Sequence, residues 1–175
     1  MVSYLIFLFF DLGTYLSFSF LRTHRHPVSS VPSLCSLIKS VHQVYYENEC
    51  RDDRAIGKNI AEISSRYLVQ GTRDLETTKL GNSHVIYENL VKDPVETVKS
   101  IYKQHGWNFS AEYEKILNAY LEENRLKREA TKKERQSGDV LHSYTPEEFS
   151  LTTEELCQGN FAEYCKQYNV PMSRN

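Results

Sequence analysis

The segment Tyr15–Pro27 reads YLSFSFLRTHRHP, and it joins an apolar run to a basic turn. Aromatic and aliphatic residues alternate with serines over Tyr15–Leu21, a pattern typical of a β-strand. Pro27 cannot donate to a strand ladder, but its fixed φ suits the first turn of a helix. We therefore predict a buried strand over Tyr15–Thr23, then a basic turn, then a helix.

The stretch Val28–Glu49 continues this pattern with apolar residues at intervals of three and four positions. Those residues are Val31, Leu34, Leu37, Ile38, Val41 and Tyr45. This spacing predicts an amphipathic helix. A strand, a basic turn and a helix in this order are typical of the ligand-binding end of α/β nucleotide-binding folds.

The segment 1–14 is apolar, and its role is uncertain at this point. Tyr4–Phe10 is a run of seven apolar residues, but Asp11 interrupts it before the roughly 20 residues that a membrane-spanning helix needs. A secretory signal is not indicated, because the first basic residue, Arg22, follows the apolar run. We expect a cytoplasmic protein, with membrane association as the alternative. Met1–Gly13 is also consistent with non-native sequence at a cut end.

Composition limits the number of domains, the class of partner and the role of the cysteines. The chain has 175 residues, which suits one domain, and we assign 15–172 to it. A net charge of −2 gives no reason to expect nucleic acid as a partner. Four cysteines show no metal-ligand spacing, so we expect reduced thiols and no metal, with a bridge between the last two as the alternative. They are Cys35, Cys50, Cys157 and Cys165.

The rest of the chain is mostly helical in pattern, with one short strand-like run at His84–Tyr87. Helices are predicted over Arg54–Val69, from the Asp93-Pro94 start signal to Gly106, from Ser110 onward, and after a capping box at Thr152–Glu155. Turns are predicted at Gly71–Arg73 and Leu80–Ser83. The predicted class is α/β, with a predominantly helical C-terminal part.

Three motifs occur in the order in which one family carries them. Arg25 is followed by His26-Pro27 and, eight residues after the arginine, by Ser33. Val85–Pro94 reads VIYENLVKDP, and His142–Phe149 reads HSYTPEEF. Together they resemble the P-loop sulfotransferases, specifically the C-terminal part of the bacterial-type branch. The family usually has Asp or Asn at the position of His26.

The resemblance implies a fold and a ligand. The fold would be a remnant of a P-loop NTPase-like parallel sheet, and the ligand would be 3′-phosphoadenosine 5′-phosphosulfate, the sulfate donor. Arg25, Ser33 and the unpaired amides of the following helix would bind its 3′-phosphate, because guanidinium, hydroxyl and amide groups all donate to phosphate oxygens. Lys132, Lys133 and Arg135 are weaker candidates for the same phosphate. Sulfate would pass to a hydroxyl or amine acceptor that the sequence does not identify.

The resemblance also implies parts that this sequence does not contain. No G-x-x-x-x-G-K-[ST] loop precedes Arg25, so we predict a truncated domain without the 5′-phosphosulfate loop and assign no catalytic residue. His24 and His26 are interpreted as turn or phosphate-side residues. Enzyme activity is therefore left open. The alternatives are a non-catalytic nucleotide-binding remnant and a membrane-anchored helical interaction protein.

Overall fold

A computed structural model describes residues 4–9, 17–45, 52–77, 81–134 and 144–172. The strands are β1 (Tyr4–Phe9), β2 (Ser17–His24) and β3 (Gly81–Ile86). The α-helices are α1 (Pro27–Tyr45), α2 (Asp53–Thr77), α3 (Tyr87–Lys92), α4 (Pro94–Gln104), α5 (Ala111–Glu134) and α6 (Gly159–Tyr168). Two 3₁₀-helices lie at Pro146–Phe149 and Glu155–Cys157. The α/β class and the predominance of helix are therefore confirmed.

The described strands form one sheet in the order β1-β2-β3. β2 and β3 are parallel, with His24 opposite Ile86, so both strands end at the same edge of the sheet. β1 pairs antiparallel with β2 over Tyr4–Phe9, which gives a place in the sheet to part of the apolar segment 1–14. Within the described residues, no helix is long and apolar enough to cross a membrane.

The strand–turn–helix prediction is confirmed, with β2 ending at His24 and α1 beginning at Pro27. Two predicted turns were wrong. α2 continues through Gly71–Arg73 to Thr77, and β3 already begins at Gly81. Helix α2 continues because Leu68 is buried against α6, and because the Thr72 hydroxyl donates to the Leu68 carbonyl at 2.8 Å instead of breaking the helix.

The helix starts follow the predicted capping chemistry. The Asp93 carboxylate accepts the Glu96 amide at 3.0 Å, and the Ser110 hydroxyl accepts the Tyr113 amide at 3.1 Å. Thr152 and Glu155 bond reciprocally, with the Glu155 amide 3.1 Å from the Thr152 hydroxyl. The helix predicted after them is divided, because a 3₁₀ turn over Glu155–Cys157 comes before α6.

The chain forms two compact units, Met1–Glu88 with Tyr144–Asn175, and Asn89–Ser143. The hydrophobic core of the first unit includes Val31, Cys35, Ile56, Leu68, Phe149, Leu156, Phe161 and Tyr164. In the second unit, Tyr102 stacks on Tyr113 and meets Trp107 and Phe109 edge-on. Assignment of 15–172 to one domain stays a prediction.

The cysteines in the described residues are free thiols. They are Cys35, Cys157 and Cys165. Burial raises the pKa of the Cys35 thiol to about 11, which makes it a core side chain and not a nucleophile. Cys50 lies outside the described residues.

Candidate functional site

The end of β2 and the end of β3 bring two of the sequence motifs together. Arg25 follows β2 directly and Tyr87 follows β3 directly. Because the two strands are parallel and in register, both side chains lie at the carboxyl edge of the sheet. The guanidinium carbon of Arg25 lies 4.7 Å from the centre of the Tyr87 ring. This stacking holds the guanidinium plane in place.

The Arg25 side chain retains donor capacity. Among the residues that the structure describes, its buried Nε has no hydrogen-bond partner. Ser33 lies further along α1, half-buried, and its hydroxyl makes no hydrogen bond to any described residue. Ser30, which was not predicted from the sequence, lines the same small cavity as Arg25, and its hydroxyl donates to the His26 carbonyl at 3.2 Å. Its position, three residues after the helix-starting Pro27, was the available signal.

His26 is the N-cap of α1. Its Nδ1 accepts the Val28 amide at 3.3 Å, and its carbonyl accepts the amides of Ser29 and Ser30 at 3.0 Å. An imidazole nitrogen thus replaces the side-chain oxygen that Asp or Asn would supply at this position. The prediction that these helix amides are unpaired is therefore wrong, because all three already have partners.

Glu88 lies next to Tyr87 and influences His26. Both carboxylate oxygens are buried, and neither has a hydrogen-bond partner among the described residues. Burial lowers the pKa of His26, while the Glu88 charge opposes that shift.

A second cluster of polar side chains lies on the α6 side of β2. Arg22 is 1% exposed, and its guanidinium carbon lies 5.6 Å from the Tyr164 ring centre and 5.3 Å from that of Tyr168. One of its Nη atoms donates to the Thr72 hydroxyl at 3.3 Å. Its Nε and other Nη have no partner in the described part of the chain. Arg22 was not singled out from the sequence.

His24 is fully buried in this cluster, so its interpretation as a turn or phosphate-side residue was wrong. Its Nδ1 lies 2.9 Å from the Tyr164 hydroxyl, and its Nε2 lies 2.9 Å from Nδ1 of His84. Burial first, and then the charge of Arg22, lower the pKa of His24 to about 3. The same two causes lower the pKa of His84. Both imidazoles are therefore neutral near pH 7.

This burial predicts an acid-sensitive fold. In the unfolded chain His24 gains a proton below about pH 6.5, whereas in the folded protein it stays neutral down to about pH 3. Stability is therefore complete above pH 6.5 and falls as the pH drops, by about 2 kcal/mol between pH 7 and pH 5 from this residue alone. Chemical denaturation at both pH values should show a smaller loss for His24→Gln. An equal loss in both proteins would contradict the prediction.

The weaker candidates for binding the phosphate lie at or just beyond the end of α5 in the sequence. On α5, Arg125 bonds Glu122 and Glu129, and Lys127 pairs with Glu123, all on the exposed surface. Lys132 and Lys133 belong to the last turn of α5, and Arg135 lies outside the described residues. Their role in phosphate binding stays a prediction. No metal-binding group of three or more ligands occurs among the described side chains.

Comparison with known proteins identifies the family of this chain. A family model described as "Sulfotransferase family" matches residues 17–111, more than half of the chain. The crystal structure of sulfotransferase STF9 from Mycobacterium avium is similar in fold, with a TM-score of 0.68 and 23% sequence identity. That similarity covers 85% of this chain and 36% of the mycobacterial one, so the chain spans about a third of that protein. A search of curated proteins gave no match. The family model shows that the chain belongs to the sulfotransferase family.

Proposed function

We propose that this protein binds the 3′-phosphate of 3′-phosphoadenosine 5′-phosphosulfate through Arg25, and that it serves sulfuryl transfer to a hydroxyl or amine acceptor. The observation that carries the proposal is the meeting of Arg25 and Tyr87 at the carboxyl edge of parallel strands β2 and β3. Ligands of open α/β sheets bind at this edge. Family membership gives the class of reaction.

Arg25 is suited to a phosphate for three reasons. Its guanidinium stays charged at all relevant pH values and can form two parallel bonds to phosphate oxygens. Its Nε has no partner in the described part of the protein. It also precedes the N-terminus of α1, where the helix dipole favours an anion even though the first amides are already bonded.

Ser33 is the second residue that we propose for the phosphate. Its hydroxyl has no hydrogen bond within the described residues, so donating to a ligand would break no existing contact. Lys132, Lys133 and Arg135 would supply additional positive charge. With two of the three in the last turn of α5, their contribution requires contact between that end of the helix and the nucleotide.

The transfer itself moves the sulfuryl group from a phosphate oxygen of the donor to an acceptor oxygen or nitrogen. The acceptor loses a proton, and adenosine 3′,5′-bisphosphate leaves. His24 does not fit the base that takes this proton, because it is fully buried and both ring nitrogens are engaged. The proposal therefore assigns donor binding to named residues and leaves the base unassigned.

Binding of two nucleotides tests the proposal. Isothermal titration should show that adenosine 3′,5′-bisphosphate binds at least about 100-fold more tightly than adenosine 5′-phosphate, because only the former carries the phosphate that Arg25 would contact. Equal affinities would overturn the assignment of the 3′-phosphate site. Sulfate transfer from labelled donor to a panel of hydroxyl and amine acceptors then separates an active enzyme from a nucleotide-binding protein without catalysis.

A further inference from the structure

The first amide of helix α1 is bonded to a side chain, whereas the next two amides are bonded to the backbone. Pro27 opens α1 and has no N–H group, so Val28 carries the first amide hydrogen of the helix. That amide donates to Nδ1 of His26 at 3.3 Å. The Ser29 and Ser30 amides both donate to the His26 carbonyl at 3.0 Å. Of these two accepting groups, only the imidazole can gain a proton near neutral pH.

The protonation state of His26 therefore decides whether the Val28 amide is occupied. A backbone amide only donates, so Nδ1 accepts and the neutral ring carries its hydrogen on Nε2. A proton taken from solvent would have to bind Nδ1, where it would face the Val28 N–H group, and the bond between them would be lost. The Val28 amide would then be free to donate to another group, three residues after Arg25 in the chain.

The charges around His26 set which form of the ring is present. His26 is 6% exposed, and burial lowers its pKa, which favours the neutral ring bonded to Val28. Glu88 at the start of α3 has the opposite influence, and both of its carboxylate oxygens are buried with no hydrogen-bond partner among the described residues. A phosphate bound at Arg25 would add negative charge next to His26, which follows Arg25 directly, and would favour the protonated ring further.

We propose that His26 is a proton-controlled cap of the phosphate site: protonation of its ring releases the Val28 amide, which then donates to the 3′-phosphate bound by Arg25. The inference rests on the proposed function, because it adds one donor and one proton to the same phosphate site. Nucleotide and proton then favour the same state, and by linkage each strengthens the binding of the other. The affinity for the nucleotide should therefore rise as the pH falls.

The pH dependence of nucleotide affinity tests the proposal against two variants. His26→Asn supplies an amide oxygen that also caps a helix but does not titrate, and His42→Asn is the matched control in the last turn of α1. By isothermal titration with adenosine 3′,5′-bisphosphate, the ratio of wild-type to His26→Asn affinity should rise at least about threefold from pH 8 to pH 6. Taking the ratio cancels the titration of the ligand's own phosphates. The ratio of wild type to His42→Asn should stay constant. A constant ratio for His26→Asn would overturn the proposal.

Spectra of the free protein provide a readout that needs no ligand. Nitrogen-15 spectra should show the His26 ring protonated at Nε2 at pH 8, and the Val28 amide signal should titrate with the same midpoint as this ring. A Val28 signal that stays constant while the ring titrates, or a neutral ring protonated at Nδ1, would overturn the proton-controlled cap. If both signals titrate together and the wild type binds no nucleotide at either pH, the proposed function is refuted instead.

Discussion

Substituting Arg25 by alanine is expected to weaken binding of adenosine 3′,5′-bisphosphate by at least about 100-fold while leaving the fold intact. Two charge-assisted hydrogen bonds to a phosphate contribute about 1.5–3 kcal/mol each, and every 1.4 kcal/mol is tenfold in affinity. The fold should survive because the described contact of the guanidinium is the stacking on Tyr87. Isothermal titration measures the affinity, and thermal denaturation checks the fold.

Arg66→Ala is the matched control for Arg25→Ala. It removes the same charge from an exposed side chain of α2 in the same compact unit. It should change the affinity less than threefold, and should do so mainly at low ionic strength, where distant charges still act. If Arg25→Ala and Arg66→Ala weakened binding equally, the effect would be one of net charge, and Arg25 would not be the phosphate ligand.

Gly57→Ala should produce the largest loss of stability. Gly57 lies in α2, and a Cβ placed there would be 2.1 Å from the carbonyl oxygen and 2.9 Å from Cβ of Phe149. The oxygen belongs to the backbone and Phe149 is 1% exposed, so neither can move aside easily. Overpacking typically costs about 1–3 kcal/mol, and more where backbone must shift as it must here, which outweighs the gain of about 1 kcal/mol that alanine brings to a helix.

Chemical denaturation of Gly57→Ala should therefore show a loss of about 2 kcal/mol or more, or no folded protein. Lys58→Ala is the control, since Lys58 is the next residue of α2 and is exposed. It should change the free energy of unfolding by less than about 0.5 kcal/mol. If Gly57→Ala stabilised the protein, as an ordinary helical glycine substitution does, the close approach of α2 to Phe149 would be wrong.

The part of the fold that carries Arg25 could be predicted from local sequence. Alternation of side chains before Arg22 identified β2, and Pro27 identified the first turn of α1. These signals are reliable because they depend on backbone geometry within a few residues. The contact of Arg25 with Tyr87 was not predicted, because it depends on β2 and β3 being parallel neighbours that end at one edge of the sheet.

The burial of Arg22 and His24 could not be predicted in the same way. A polar residue near the end of a strand usually indicates solvent, and nothing nearby in the sequence provides the rings that cover these two. The covering side chains, Tyr164 and Tyr168, come from α6 at the other end of the chain. The burial of Arg22 and His24 therefore depends on the packing of α6 against the sheet, which the local sequence does not predict.

The conformations of His26 and of α2 could not be predicted from local sequence either. A histidine at an N-cap is not a strong start signal, and its role depends on Nδ1 reaching the Val28 amide. Gly71 and Thr72 are typical of a turn, but Thr72 bonds Tyr168 at 3.2 Å as well as the preceding helical turn. A local side-chain bond decided the conformation of His26, and a tertiary contact with Tyr168 accompanies the continuation of α2.

A crystal structure of the protein with adenosine 3′,5′-bisphosphate tests the 3′-phosphate site most directly. We predict that oxygens of the 3′-phosphate lie within about 2.7–3.2 Å of the Arg25 guanidinium and the Ser33 hydroxyl. The Arg25 guanidinium should remain stacked on Tyr87. A nucleotide whose 3′-phosphate lies away from Arg25, with the arginine still lacking a phosphate partner, would contradict the proposed site.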